Sequence, residues 1–154
     1  MNLLELAGQI CKVLLPINEE VYFGNPDSNV AICTLSSMNL LREISNSHLM
    51  QKIALAGRLL SENKGIDLLV EYINKHPNLD TVIICGNDVA GHKAGHALSC
   101  LHKFGVDKDN RIINCVSPNP FLSISDREIR QFQKQITLIE KMGQTDLEKI
   151  RSLV

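Results

Sequence analysis

The stretch Cys85-Gly86-Asn87-Asp88-Val89-Ala90-Gly91-His92-Lys93-Ala94-Gly95-His96 gathers more ligand chemistry than any other part of the chain. It offers two imidazoles four residues apart, a carboxylate at Asp88, an amide at Asn87 and glycines at 86, 91 and 95. A neutral imidazole can donate a lone pair to a metal. Glycines let a large planar ligand come close to the backbone. Read as a helix over residues 91–104, the segment puts Ala94, Ala97, Leu98, Leu101 and Phe104 on the stripe that must face a sheet. His92 falls opposite that stripe, and His96 lies about 40° from His92, so both imidazoles point away from the core. In a first helical turn the dipole would disfavour the imidazolium form of His92. The plain alternative is that an outward histidine is only solvated.

Other chemistries fit less well. A zinc protease site would need a glutamate beside the first histidine, and Lys93 stands there with no evident third ligand. The 86–91 glycines lack the middle glycine of a dinucleotide fingerprint, and there is no Walker motif or Gly-x-Ser-x-Gly elbow. Cys85 and Cys115 close apolar runs and read as core thiols rather than nucleophiles. Glu62-Asn63 would either orient a polar ligand or cap the helix beginning near Lys64, and capping is the simpler role.

These residues need a scaffold, and the hydrophobic pattern supplies one. Helical spacing over residues 3–15 stops at Pro16, and Val21-Tyr22-Phe23 is a short strand ended by Gly24-Asn25-Pro26-Asp27. The apolar run 30–35 suits a strand covered on both faces, followed by a helix over 39–48. The alternation repeats with a strand at 52–57, a helix at 65–76, a strand at 81–85, the helix 91–104 ended by Gly105, and a strand at 111–116. Ser125 and Glu128 form a capping box that opens a long amphipathic helix carrying Ile129, Phe132, Ile136, Ile139 and Met142, with Gly143 ending it and a short basic helix after. The implied architecture is α/β: three layers, a mainly parallel sheet with helices on both faces. One domain over 1–154 is expected, with an N-terminal helix in 1–16 and C-terminal helices in 125–154. In such sheets ligands sit at the carboxyl ends of the strands, which singles out the loops at Ser36-Ser37, 58–64, 86–92 and 117–120.

Composition narrows the class. The 154 residues carry 16 Lys+Arg against 17 Asp+Glu, a net charge of −1. No basic block suggests a nucleic-acid partner. No apolar run approaches the roughly 20 residues of a membrane span, and the first residues lack a secretory pattern. Five cysteines without a Cys-x-x-Cys pair read as reduced thiols in a cytoplasmic protein.

Several strings occur together in the order found in one known family: Gly24-Asn25-Pro26-Asp27-Ser28, Val30-Ala31-Ile32-Cys33-Thr34-Leu35, Glu62-Asn63-Lys64-Gly65-Ile66, Cys85-Gly86, Gly91-His92, Pro120-Phe121 and Phe132-Gln133-Lys134-Gln135. On these the chain resembles the A-subunit of tetrahydromethanopterin S-methyltransferase, the corrinoid-carrying component of a methanogen membrane complex. The resemblance implies a Rossmann-like domain that binds cobalamin and carries a methyl group between donor and acceptor proteins or subunits, without turning over alone. It implies His92 as the lower cobalt ligand, with Asp88 as a partner tuning the imidazole. The loops bearing Ser36, Glu62, Asn63, Gly86, Asn87, Asp88, Gly91, Gly95, Ser117 and Pro120 would hold the cofactor. The family has Gln where Ala90 and His96 stand here, and its C-terminal membrane anchor has no counterpart, so a soluble homologue is expected. Two other functions stay open: a cofactor-less Rossmann-like module for a nucleotide or anion, and a metal-dependent enzyme built on His92 and His96.

Overall fold

A computed structural model describes residues 20–154. The helix expected over residues 3–15 and Cys11 lie outside the described residues. Among the described residues five strands form one sheet: β1 (Val21–Phe23), β2 (Val30–Cys33), β3 (Leu55–Gly57), β4 (Thr81–Ile84) and β5 (Thr137–Glu140), in the order β1-β3-β2-β4-β5. Of these, β1 runs antiparallel, against β3; the β2–β3, β2–β4 and β4–β5 pairs are parallel. The described α-helices are α1 (Met38–Ser45), α2 (Lys64–Lys75), α3 (Ala94–Phe104), α4 (Asp126–Gln135) and α5 (Leu147–Arg151).

The central strands are apolar on both sides because both sides are covered. Ala31, Cys33, Val82 and Ile84 face a cluster with Ile66, Val70 and Ile73 of α2, Ala97, Leu98 and Leu101 of α3, and Ile129 and Phe132 of α4. The alternate residues Ile32 and Ile83 face Leu40, Leu41 and Ile44 of α1 and Ile150 of α5. This period of two follows from the strand geometry. The expected three-layer α/β fold is what forms.

Three expectations differ from the structure. Residues 111–116 make no strand; they curl, with isolated bridges pairing Val106 with Ile112 and Arg111 with Phe121. Asn110 and Asn114 both adopt φ of 60°, which interrupts extended backbone, and the Arg111 guanidinium donates to the carbonyls of Ile112 and Cys115. The long helix after Ser125 stops at Gln135, although its capping box is present as expected. Ile136 turns extended, and residues 137–140 add β5 to the edge of β4. Ile136 and Ile139 match a helical spacing, but the β-branched residues 136, 137 and 139 also suit a strand, and the open edge of β4 supplies hydrogen bonds that a lone helix end cannot. Phe104, placed on the sheet-facing stripe by periodicity, is exposed as the last residue of α3.

The crossover β2–α1–β3 leads to one side of β2, and β3–α2–β4 returns to the other. The strand order therefore reverses between β2 and β4, and the crevice outside their carboxyl ends is where such sheets take ligands.

Candidate functional site

The loops leaving β2 and β4 are stitched together across this crevice. The Ser36 amide and hydroxyl both donate to the Asn87 carbonyl, at 3.1 and 2.7 Å. The Asn87 amide donates to Ser37 Oγ at 2.8 Å. Gly86, at φ 73°, lies so close to the Thr34 carbonyl and the Ser37 side chain that a Cβ would run into both. Beside this seam opens a cleft of about 480 Å³ bordered by Ser36, Ser37, Asn39, Asn87 and Thr145.

Beyond the seam the chain reaches His92 without entering a helix. Gly91 (φ 79°) and Lys93 (φ 51°) are left-handed, so α3 starts at Ala94. A helical projection of His92 therefore fails, as does the argument that the dipole of a first turn acts on it. Asp88 has a different role from the imidazole-tuning one expected. Its Oδ1 accepts from the amides of Val89 and Gly95, both at 2.8 Å, and its Oδ2 from the amide of His96 at 3.0 Å. It acts as the cap of α3, meeting amides that would otherwise lack partners.

The partner of His92 is Glu62, from the loop after β3. His92 Nδ1 lies 2.9 Å from Glu62 Oε2. The glutamate is 1% exposed, while the histidine side chain is 56% exposed. Burial alone would push the Glu62 pKa up. Hydrogen bonds from its own amide and from the Asn119 amide, with the bond and charge of His92, outweigh burial and hold the carboxyl below the usual glutamate range. The Asn119 amide donates to Oε1 at 3.0 Å. A charged carboxylate only accepts, so Nδ1 carries a proton, and in the neutral ring Nε2 is the nitrogen with the free lone pair. Asn63 caps α2 through Oδ1, as expected, and its Nδ2 donates to the Asn119 carbonyl at 3.1 Å.

The remaining expected residues separate. Gly91 has open space around it. Gly95 packs against the protein itself: a Cβ there would stand 2.8 Å from Leu35 Cδ1 and from Met142 Sδ, so this glycine admits a neighbouring side chain, not a ligand. Ser117 is buried and donates to the Lys93 carbonyl at 3.1 Å. Pro120 is buried and its carbonyl accepts from Ile112. His96 turns to the 114–117 segment, its Nε2 accepting from the Val116 amide at 3.3 Å. Cys85 is a core thiol whose pKa burial, with Cys33 beside it, pushes up to about 12. Sequence reasoning missed the Glu62–His92 pair and the Asn119 amide; a buried-position glutamate in a βα loop was the one available signal for the former.

A family model for the A-subunit of tetrahydromethanopterin S-methyltransferase matches residues 13–154. The chain belongs to this A-subunit family. A protein of Methanosarcina acetivorans provisionally named as the A-subunit of a methyltransferase Mtx is 33% identical over 140 residues, covering 90% of this chain and 67% of that one. Its counterpart in Methanosarcina barkeri, under the same provisional name, is 35% identical over 133 residues, 85% of this chain and 63% of that one. The first of the numbered tetrahydromethanopterin S-methyltransferase A-subunits of Methanothermobacter thermautotrophicus is 33% identical over 140 residues, 90% of this chain and 57% of that one. The chain thus spans about three fifths to two thirds of the length of these relatives.

These findings correct the functional expectation. The relatives' names describe an A-subunit of a methyltransferase and mention no corrinoid or methyl-carrying role, so the expected cobalamin-binding methyl carrier is cut back here to membership of that A-subunit family. The same names describe a methyltransferase component and not the nucleotide- or anion-binding regulatory module that was the other expectation. The metal enzyme built on His92 and His96 fails on geometry: the two side chains go to different partners, and among the described residues no group of three His, Cys, Asp or Glu could hold a metal ion. Among the described residues no helix is long and apolar enough to cross a membrane.

Proposed function

We propose that this chain is the component of a methyltransferase that holds a corrinoid, with His92 Nε2 as the nitrogen that would hold its cobalt. The observation that carries this reading is the His92–Glu62 pair: a half-exposed imidazole at the carboxyl ends of the sheet, its Nδ1 tied to a buried carboxylate. The donor set fits the group. A single nitrogen suffices for a metal already enclosed by a macrocycle, whereas a bare ion would need the three-residue cluster that the described residues lack. A bound corrinoid would supply a cobalt centre able to accept and release a methyl group.

The chain's own residues divide the remaining work. Glu62 fixes the tautomer and plane of His92 and raises the electron density available at Nε2, as carboxylate partners do for metal-bound histidines. Asn119 and Asn63 hold Glu62 and its loop. Asp88 anchors the turn that leads into α3, and the open space at Gly91 leaves room beside the imidazole. Ser36 and Asn87 border the adjoining cleft, which suits the polar periphery of a large cofactor. The donor and acceptor of the methyl group would sit on partner proteins of the assembly.

Reconstitution tests the reading. Purified chain mixed with cobalamin should give a protein-bound visible spectrum that changes in His92→Ala. No binding at micromolar cobalamin, or an identical spectrum in the variant, would refute it.

A further inference from the structure

We propose that His96 is an acid-sensitive clamp on the 116–119 segment, a positioning residue that acts through Asn119 and Glu62 on His92. The proposal rests on the corrinoid reading only for its consequence at the cobalt; the clamp itself stands on hydrogen-bond geometry.

A backbone amide can only donate, so the nitrogen that meets the Val116 amide, His96 Nε2, must be unprotonated. Adding a proton to that ring sets one N–H against another and removes the bond. Histidine is the side chain that ordinarily changes charge between about pH 5 and 8. Three residues on, the Asn119 amide donates to Glu62 Oε1, and Glu62 Oε2 meets His92. The link between the two ends is short and stiff: Pro118 has a locked φ, and Ser117 is pinned to the Lys93 carbonyl. A shift at Val116 is therefore carried to Asn119 instead of being absorbed between them. The other end of the same link is held by Asn63 on the Asn119 carbonyl, which does not titrate. Among the described residues, His96 and Glu62 are thus the titratable side chains hydrogen-bonded to the segment.

Charged and titratable groups lie about the His96 ring. From its own helix, Cys100 Sγ lies 3.6 Å from Nε2. From the loop after β4, Asp88 takes the His96 amide, and its two oxygens are already engaged by three amides. From the far side, the Arg111 guanidinium grips the Cys115 carbonyl at 2.9 Å, and Cys115 neighbours Cys100. Lys103 and Glu140 lie further along against Cys100 and pair with each other at 2.9 Å.

The experiment follows amide resonances of the isotope-labelled, cofactor-free chain from about pH 8 to about pH 5, the histidine range. The Val116 amide should move in step with the His96 ring, and Asn119 should show a component with the same midpoint. In His96→Gln the side-chain oxygen keeps an acceptor that does not titrate, so the Val116 response and that component of Asn119 should vanish. His96→Ala should exchange its Val116 amide about fivefold faster than the parent chain near pH 8, the effect of one ordinary hydrogen bond, and at the parent's rate near pH 5, where that bond is already lost. A Val116 amide indifferent to the His96 ring, or an Asn119 response unchanged in His96→Gln, would overturn the proposal. Because no corrinoid is present, failure of cobalamin binding would leave this result standing, and the reverse holds too.

Discussion

Replacing Glu62 by Gln should invert the tautomer of His92. The carboxylate offers one oxygen to the Asn119 amide and the other to His92 Nδ1–H. Glutamine has a single oxygen for these two donors. The Asn119 amide cannot change its role, so it takes the oxygen, and the NH2 group is left facing Nδ1. The imidazole relieves that clash by moving its proton to Nε2, the nitrogen proposed to meet cobalt. Two charge-assisted bonds are worth about 1.5–3 kcal/mol each and their neutral replacements about 0.5–1.5. With His92 more than half exposed, solvent screening trims its share, so the stability loss should be about 2 kcal/mol. Cobalamin affinity should fall about 10–100-fold, the usual effect of removing a partner behind a metal-bound histidine. Long-range proton–nitrogen spectra of the histidine rings report the tautomer, and urea unfolding with spectral titration reports the rest. An unchanged Nδ1–H tautomer in the variant, with unchanged affinity, would refute the reasoning.

Asp88→Ala should cost about 1–2 kcal/mol in urea unfolding by uncapping α3, with a weaker hold on cobalamin because the His92 turn is anchored there. A fully retained midpoint would show that water caps the helix equally well. Gly86→Ala combines φ of 73° with a Cβ driven into the Thr34 carbonyl, so a loss above about 2 kcal/mol is expected, read as a lower melting temperature. Acid should weaken the fold through Glu62. Its folded pKa lies below the usual glutamate range, so its contribution is present above about pH 4.3 and fades as pH drops through the lower folded value. Glu62→Gln should accordingly flatten the acid limb of a stability-versus-pH curve; an unaltered limb would assign it to other carboxylates such as Glu128, which the Ser125 cap also holds below the ordinary range.

Much of the scaffold was legible because its signals are local. The continuous apolar runs of β2 and β4 announce strands buried on both faces, and Ser125 with Glu128 marks the start of α4 without any knowledge of the rest. The fifth strand was hidden because Ile136, Ile139 and Met142 satisfy a helical period; only the unpaired edge of β4 chose between the two structures. The position of His92 was misjudged for a similar reason: a helical pattern continues past Gly91 on paper, while the left-handed backbone at Gly91 and Lys93 holds the residue outside α3.

At the site the division is sharper. Residue order alone identified the crevice loops, His92 among them, since strand–helix alternation dictates where a parallel sheet opens. Which carboxylate stands behind the imidazole was decided by tertiary structure. Asp88, four residues away, is consumed by the amides of α3, and Glu62, thirty residues away, is brought to Nδ1 because β3 and β4 flank β2 and send their loops to the same end of the sheet. Local pattern sets the period and caps of each element; pairing between elements sets which side chains meet.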